Sequence, residues 1–390
     1  MQHSNCQLST VNCQLIAVAD DITGAAEIAG IGLQFGLRVS LIMYMGDESV
    51  ELSEPCDLLI FATDTRSMSE LESVRETDRL CKLITEMGCT QIFKKTDSAL
   101  RGHILVELTG LMRATGKKRA LLLPQNPSKG RIISDGRYYI NSVPLHETPF
   151  AHDPEFPAKS ANVSELCYGA RMLLPEKRIK RNGIYIAEAA TQEEVMQQVA
   201  KLDENVLPAG GADFFTSYLL SRGYVPKDKP MFNGLGNNSA LIVLGSTARH
   251  PIMDFPYIRR RATPVHNTPR LLFFREAPKQ WVGKIDKAYA SHHSLIIYTN
   301  HPPMKGREFA VNLREHVGKV VQSLLSEHQP QELIIEGGAT AFSILKRLGW
   351  KVFCIQCEVA PGVIRMTPTG KPETTVTLKP GSYPWGELFK

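Results

Sequence analysis

Short apolar runs that end in a polar junction and lead into a helical pattern recur along this chain, and they leave few folds open. Residues 15–19, 38–44, 57–62, 91–94 and 119–123 read as strands, and 24–35, 69–87 and 104–114 as the helices between them. Short strands joined by helix-length connections make βα units on a largely parallel sheet. The fold class expected is therefore α/β, in two domains, each a mostly parallel sheet flanked by helices, with the active site in the cleft between them. A chain of 390 residues is too long for one ordinary core, which supports the two-domain reading.

The pattern breaks twice. Residues 124–157 show no clear period, and a stretch that long inside a compact domain is usually functional. Regular structure resumes with a strand at 183–187 and helices at 192–201 and 214–221. Residues 227–238 are then rich in Pro, Gly, Asn and Lys, and the domain boundary is placed there. A second α/β unit follows, with strands at 240–244, 294–299 and 332–335, helices at 306–326 and 341–348, and strand-like runs at 351–359 and 375–378. The expected division is an N-terminal extension over 1–14, disordered, then domains over 15–228 and 239–390.

Charge and hydropathy exclude several classes of function. The net charge is +5, and the basic residues are dispersed rather than gathered into a stripe with aromatics, so no nucleic-acid partner is expected. No apolar stretch approaches the roughly 20 residues that span a bilayer, so no membrane partner is expected either. The first apolar run leads straight into Asp20-Asp21, unlike a signal peptide. The eight cysteines show no disulfide framework, and a cytoplasmic location fits them. Cys354 and Cys357 lie three apart in a strand-like run, so they face opposite sides and read as buried thiols rather than a metal or redox pair. A homodimer is the base-rate expectation for the assembly.

The chemistry concentrates where strands end. Asp20-Asp21-Ile22-Thr23-Gly24 closes the first strand, and Lys94-Lys95-Thr96-Asp97-Ser98-Ala99-Leu100-Arg101-Gly102 closes the fourth. Loops at the carboxyl ends of strands line the ligand crevice of an open α/β sheet. One carboxylate at a helix start is explained as an N-cap; two adjacent ones need a cation or a buried partner. Asp21, Asp20 and Asp97 are the candidate acid–base residues. Lys94, Lys95, Ser98 and Arg101, with Asp64 and Arg66 from the Thr63-Asp64-Thr65-Arg66 turn, are candidate contacts for an anionic, hydroxylated substrate.

In the second unit, Gly337-Gly338-Ala339-Thr340 stands between a strand and a helix, where free N–H groups and the helix dipole suit a phosphate. Ser246 and Gly381 sit in two further glycine-containing junctions. Neither a G-x-x-x-x-G-K-[ST] loop nor a G-x-G-x-x-G fingerprint is present, which argues against a P-loop enzyme and weakens a dehydrogenase reading.

Together these motifs resemble the four-carbon acid sugar kinase family. The resemblance rests on Asp20-Asp21-Ile22-Thr23-Gly24-Ala25, on Lys95-Thr96-Asp97-Ser98-Ala99-Leu100-Arg101-Gly102, and on a series from Gly130-Arg131 through Asp135-Gly136 and Val143-Pro144-Leu145 to Asp153-Pro154. It runs from about residue 15 to the C-terminus. It implies ATP-dependent phosphorylation of a four-carbon sugar acid such as threonate, erythronate or a 3-oxo relative, with Mg²⁺ accompanying ATP. It further implies that Asp21, Lys95, Asp97 and Arg101 line the sugar-acid pocket and that Ser246, Gly337 to Thr340 and Gly381 hold the nucleotide. The chain departs from the family pattern at Thr247-Ala248, at Gln125-Asn126 and over residues 382–386. A catalytically silent sugar-acid sensor of the same fold is the alternative that those departures leave open.

Overall fold

The computed structural model describes residues 13–390 except 48, 53, 154, 155, 246–253, 303, 305 and 382. Most of the expected N-terminal extension, residues 1–12, therefore lies outside the described residues, as does Ser246.

The first half runs β1 (Leu15–Ala19), α1 (Ile22–Gln34), β2 (Val39–Met43), β3 (Leu58–Ala62), α2 (Glu70–Met87), β4 (Ile92–Lys95), α3 (Ile104–Ala114) and β5 (Arg119–Leu123). The stretch without sequence period forms a small antiparallel sheet, β6 (Arg131–Ser134), β7 (Arg137–Ile140) and β8 (Val143–Pro144). Then come α4 (Val163–Leu166), β9 (Arg171–Leu173), β10 (Gly183–Ala187), α5 (Gln192–Val199), β11 (Val206–Gly210) and α6 (Ala212–Ser221). The second half runs β12 (Ala240–Leu244), α7 (Pro256–Arg260), β13 (Val265–Asn267), α8 (Lys279–His292), β14 (Ser294–Tyr298), α9 (Arg307–Glu327), β15 (Glu332–Glu336) and α10 (Gly338–Leu348). It ends with β16 (Val352–Ala360), β17 (Val363–Pro368) and β18 (Thr375–Lys379).

Local chemistry explains the element ends. α2 opens on a capping box between Ser69 and Glu72 and closes on Gly88 in the left-handed region. All five residues of β1 are buried, as a strand covered by helices on both faces requires. Leu15, Ala17 and Ala19 pack into the core on one face, and Ile16 and Val18 into the core on the other.

Eight strands form a parallel block in the order β2-β3-β1-β4-β11-β5-β10-β9. Five more, β13-β14-β12-β15-β18, form a second parallel block. Each half thus carries the mostly parallel, helix-flanked sheet expected of it. The two blocks are also one hydrogen-bonded surface, which the sequence did not suggest. β18 pairs antiparallel with β17, β17 with β16, and β16 with β2 of the first half.

That seam decides where the strand ends meet. Three antiparallel pairings reverse the second block relative to the first. Six pairings separate β1 from β15, and a twist of about 20–25° at each turns the sheet by roughly 120–150°. Two bulges in the β16–β17 pairing add local twist. Reversal and twist work against each other, and the turns after β1 and β15 lie side by side. The close approach of Gly338 to Thr23 records this directly.

The Cys354–Cys357 pair does straddle the strand, but only Cys357 is buried; the Cys354 thiol is exposed because β16 is covered on one face only there.

Candidate functional site

The carboxyl ends of β1, β3 and β4 bring three aspartates around one guanidinium. Arg66 Nε donates to Asp20 Oδ2 at 2.9 Å, its Nη1 to Asp21 Oδ2 at 2.7 Å, and its Nη2 lies 3.5 Å from Asp97 Oδ1. The polar turn after β3 is thus the hub of the cluster. Asp21 also caps α1, accepting from the Gly24 N–H at 2.7 Å and from the Thr23 hydroxyl. Burial alone would raise its pKa, but Arg66 and the Thr23 hydroxyl hold it below the usual carboxylate value. Asp20 is different. Burial pushes its pKa up to about 6 despite Arg66, and its Oδ1 has no hydrogen-bond partner among the described residues.

Asp97 accepts from Arg101 Nε at 2.9 Å and Nη2 at 2.8 Å, which is the bidentate fork geometry. Against a large burial cost, Arg66 and Arg101 keep it ionised far below the usual range. Arg101 Nη1 donates to Asp153 at 2.9 Å, and its guanidinium stacks 5.0 Å from the centre of the Phe150 ring. Ser98 accepts from Arg131.

Lys94 and Lys95 part company, because successive residues of a strand face opposite sides. Lys94 is fully buried and pairs with Glu107 of α3 at 2.9 Å. Lys95 turns to α1, where its Nζ lies 3.1 Å from Glu27. Glu27 also pairs with Lys129 and accepts from the Tyr383 hydroxyl at 3.2 Å, so the last segment of the chain reaches into the first half. Burial opposes its charge, but the two lysines bring its pKa down to about 2. Asp64 sits beside this cluster with a positive φ of 53° and a pKa raised by burial to about 6; Arg314 of α9 is near enough to pull it down in part.

The second half offers a cavity of about 570 Å³ at the carboxyl ends of β12, β14 and β15, a volume typical of small-molecule sites. Gly245, Ala339, Thr340 and Arg314 line it, with His152 contributed by the first half. α10 starts on its wall at Gly338 with no side-chain cap, so its first-turn N–H groups are available to a ligand. Gly337 takes a positive φ of 95° and donates its N–H to the Lys379 carbonyl at 2.8 Å. The Gly381 carbonyl accepts from Lys379 Nζ at 3.0 Å, and that ammonium is buried against Glu336 at 2.6 Å. Ser246 cannot be placed, since it lies outside the described residues.

The two sets of residues adjoin. A Cβ on Gly338 would sit 2.6 Å from Thr23 Cγ2, so the start of α10 touches the start of α1. Arg307 of α9 donates to the Ser67 carbonyl beside Asp64. The structure therefore brings together Asp20, Asp21, Asp64, Arg66, Lys95, Asp97, Ser98 and Arg101, and sets the Gly337-to-Thr340 turn against them. Sequence reasoning passed over Glu27, Lys129 and Arg314, while Arg131 and Tyr383 entered it only through the family resemblance, with no role given to either. Glu27 alone carried a legible signal, as the single charge in the apolar run of α1.

Two family models match the chain: a "Sugar-binding N-terminal domain" over residues 15–212 and a "Nucleotide-binding C-terminal domain" over 257–383. Among curated relatives, the D-threonate kinase of Salmonella typhimurium is 23% identical over 89% of this chain and 89% of its own. A 3-oxo-tetronate kinase of Pseudomonas fluorescens is 22% identical over 95% of this chain and 94% of its own. Solved structures from Haemophilus influenzae and Salmonella typhimurium, each 18% identical, share the fold with TM-scores of 0.70 and 0.76. Both superpositions cover 96% of this chain, and 98% and 97% of theirs. The matched models span most of the described residues and divide them into the halves that carry the two parts of the site, so this chain belongs to the four-carbon acid sugar kinase family.

Proposed function

We propose that the protein transfers the terminal phosphoryl group of ATP to a terminal hydroxyl of a four-carbon sugar acid of the threonate, erythronate or 3-oxo-tetronate type. The observation that carries this reading is the contact between the two helix starts. The uncapped α10 terminus, suited to phosphate, abuts the α1 terminus that carries Asp21. Phosphoryl transfer asks mainly for such positioning and for charge stabilisation.

In this reading Asp21, partly open and held ionised, accepts the hydrogen bond of the attacking hydroxyl and orients it. Asp20, with its raised pKa, is the nearby group best matched to hold a proton near neutral pH. Asp97 fixes Arg101, and Lys95, Ser98 and Asp64 face the acid. The nucleotide takes the cavity under α9, with its phosphates at Gly338, Ala339 and Thr340 and with Arg314 as the cation facing them. Arg66 already occupies Asp20, Asp21 and Asp97, and the described residues include no group of three side chains able to hold a metal. Mg²⁺ would accordingly arrive on the ATP phosphates, which is its common mode of binding.

ADP formation with Mg·ATP across D- and L-threonate, D- and L-erythronate and 3-oxo-tetronates tests the proposal. Turnover of one acid well above the ATPase background is expected. Thermal stabilisation by an acid without ADP release would overturn it in favour of a silent sensor.

A further inference from the structure

A sugar acid brings a carboxylate into the site, and the cation that receives it should not first have to give up an internal partner. Most cations near Asp21 are already neutralised. Arg66 serves three aspartates, Lys94 pairs with Glu107, and Lys95 and Lys129 share Glu27. Arg101 places its Nε and Nη2 on Asp97 and its Nη1 on Asp153, so both edges of its fork are filled.

Arg131 and Arg314 are the exceptions, and Arg314 lines the cavity of the second half. Arg131 opens β6, one residue past the left-handed Gly130, and is partly exposed. Among the described residues its guanidinium has no carboxylate within ion-pair distance. Its Nη1 donates to the Ser98 hydroxyl, beside Asp97 in the chain, and its carbon centre stands 5.7 Å from the centre of the Phe150 ring that Arg101 also faces. A second observation falls at the same place. Tyr138, on the neighbouring strand β7, is fully buried, and its hydroxyl has no hydrogen-bond partner among the described residues. Arg131 and Asp97 are the charged groups that act on that hydroxyl.

We propose that Arg131 is the residue that binds the substrate's carboxylate, presenting its unneutralised guanidinium from the small β6–β8 sheet and so selecting acids over neutral polyols. The proposal rests on the sugar-acid reading above. A planar fork suits a carboxylate through two parallel hydrogen bonds, which a point charge cannot reproduce. Ser98 and Phe150 hold the fork in place without cancelling its charge.

The test compares wild type with Arg131→Met, Arg131→Lys and Arg101→Met by calorimetric binding of each threonate and erythronate isomer without nucleotide. Steady-state kinetics on the same acids and on the neutral polyols threitol and erythritol accompany it. Arg131→Met is expected to weaken acid binding and raise KM by about 30-fold or more, with kcat little changed and the preference for acid over polyol lost. Arg131→Lys should recover part of the affinity, and added methylguanidinium should restore part of it to Arg131→Met, which a merely structural arginine would not allow. Unchanged acid affinity in Arg131→Met, or loss confined to Arg101→Met, would overturn the assignment. If wild type binds an acid but never phosphorylates it, the kinase reading fails while the binding comparison still decides on Arg131. If wild type binds no acid, both fail.

Discussion

Arg66 sets the electrostatics of the site, because one buried guanidinium stands among carboxylates that it treats unequally. Asp21 and Asp97 are held ionised, whereas Asp20 and, further out, Asp64 are pushed up to about 6. Asp21→Asn keeps the shape and the cap on Gly24 but removes the charge proposed to face the hydroxyl. It should cut kcat by about 10²–10⁴-fold while ATP affinity, measured calorimetrically, barely moves; unchanged turnover would remove Asp21 from the mechanism. The raised groups predict a pH signature. If their ionised forms are the active ones, kcat/KM rises with pH through about 6, and whichever of Asp20→Asn or Asp64→Asn erases that limb identifies its source. Stability moves the other way. The unfolded chain loses these protons near pH 4, below the folded pKa, so their contribution is full under about pH 4 and is lost as pH rises through 6. Asp64→Asn should flatten that decline in thermal melts taken from pH 4 to 7. A steeper decline would mean that Asp64 is ionised in the folded protein well below pH 6.

In the proposed reaction the helix starts are the working elements, and Gly338 is where two of them touch. It holds the first position of α10, where alanine favours the helix by less than the roughly 1 kcal/mol of an interior position, and a Cβ there meets Thr23 at 2.6 Å. Gly338→Ala should therefore leave the melting temperature nearly unchanged and lower kcat by about 10-fold or more through a misplaced phosphoryl group. A variant with normal kcat would mean that the two starts need not meet. The same elements show what the chain reveals unaided. β1, α3, β5, β10 and β12 fall on the expected residues because each is a clean apolar run or helical face bounded by polar junctions. β11 escaped, since Pro208 and Gly210 read as breakers, although the strand sits between β4 and β5. The β6–β8 sheet escaped because its strands are short and half-exposed, with turns at Asp135, Asn141 and Ser142 in the left-handed region. Lys129 went unnoticed with it, and Arg131 was seen only as part of the family motif, without a role. The opposed directions of Lys94 and Lys95 were legible, as alternation in a strand requires them. What could not be read was that Arg66, from a turn no more distinctive than other polar turns, would meet aspartates from two other junctions. Only the tertiary register of β1, β3 and β4 makes that meeting.

At the scale of the whole molecule, the proposed boundary at 227–238 separates halves that the sheet joins. β16, from the second half, completes the edge of β2 in the first. Lys227 donates its N–H to the Gln34 carbonyl at 2.7 Å, so the boundary segment is itself tied to α1. Glu358 in β16 fastens the seam. Its buried carboxylate accepts from Gln34 of α1 at 3.0 Å, from Lys229 at 3.2 Å and from the Gly362 N–H at 3.0 Å. Gly30 of α1 packs directly on it, with room for nothing larger than hydrogen: a Cβ there would lie 2.2 Å from Glu358 Oε1. The carboxylate cannot swing aside without giving up those donors, and a buried charge stripped of partners is costly. Gly30→Ala should thus destabilise the protein by about 1–3 kcal/mol, the usual cost of overpacking. Because the seam belongs to both halves, calorimetry of the full chain should show one unfolding transition in wild type and in the variant, shifted down as a unit. Two transitions, of which only one moves, would mean that the continuous sheet does not couple the halves, and that the alignment of the two helix starts depends on the substrates instead.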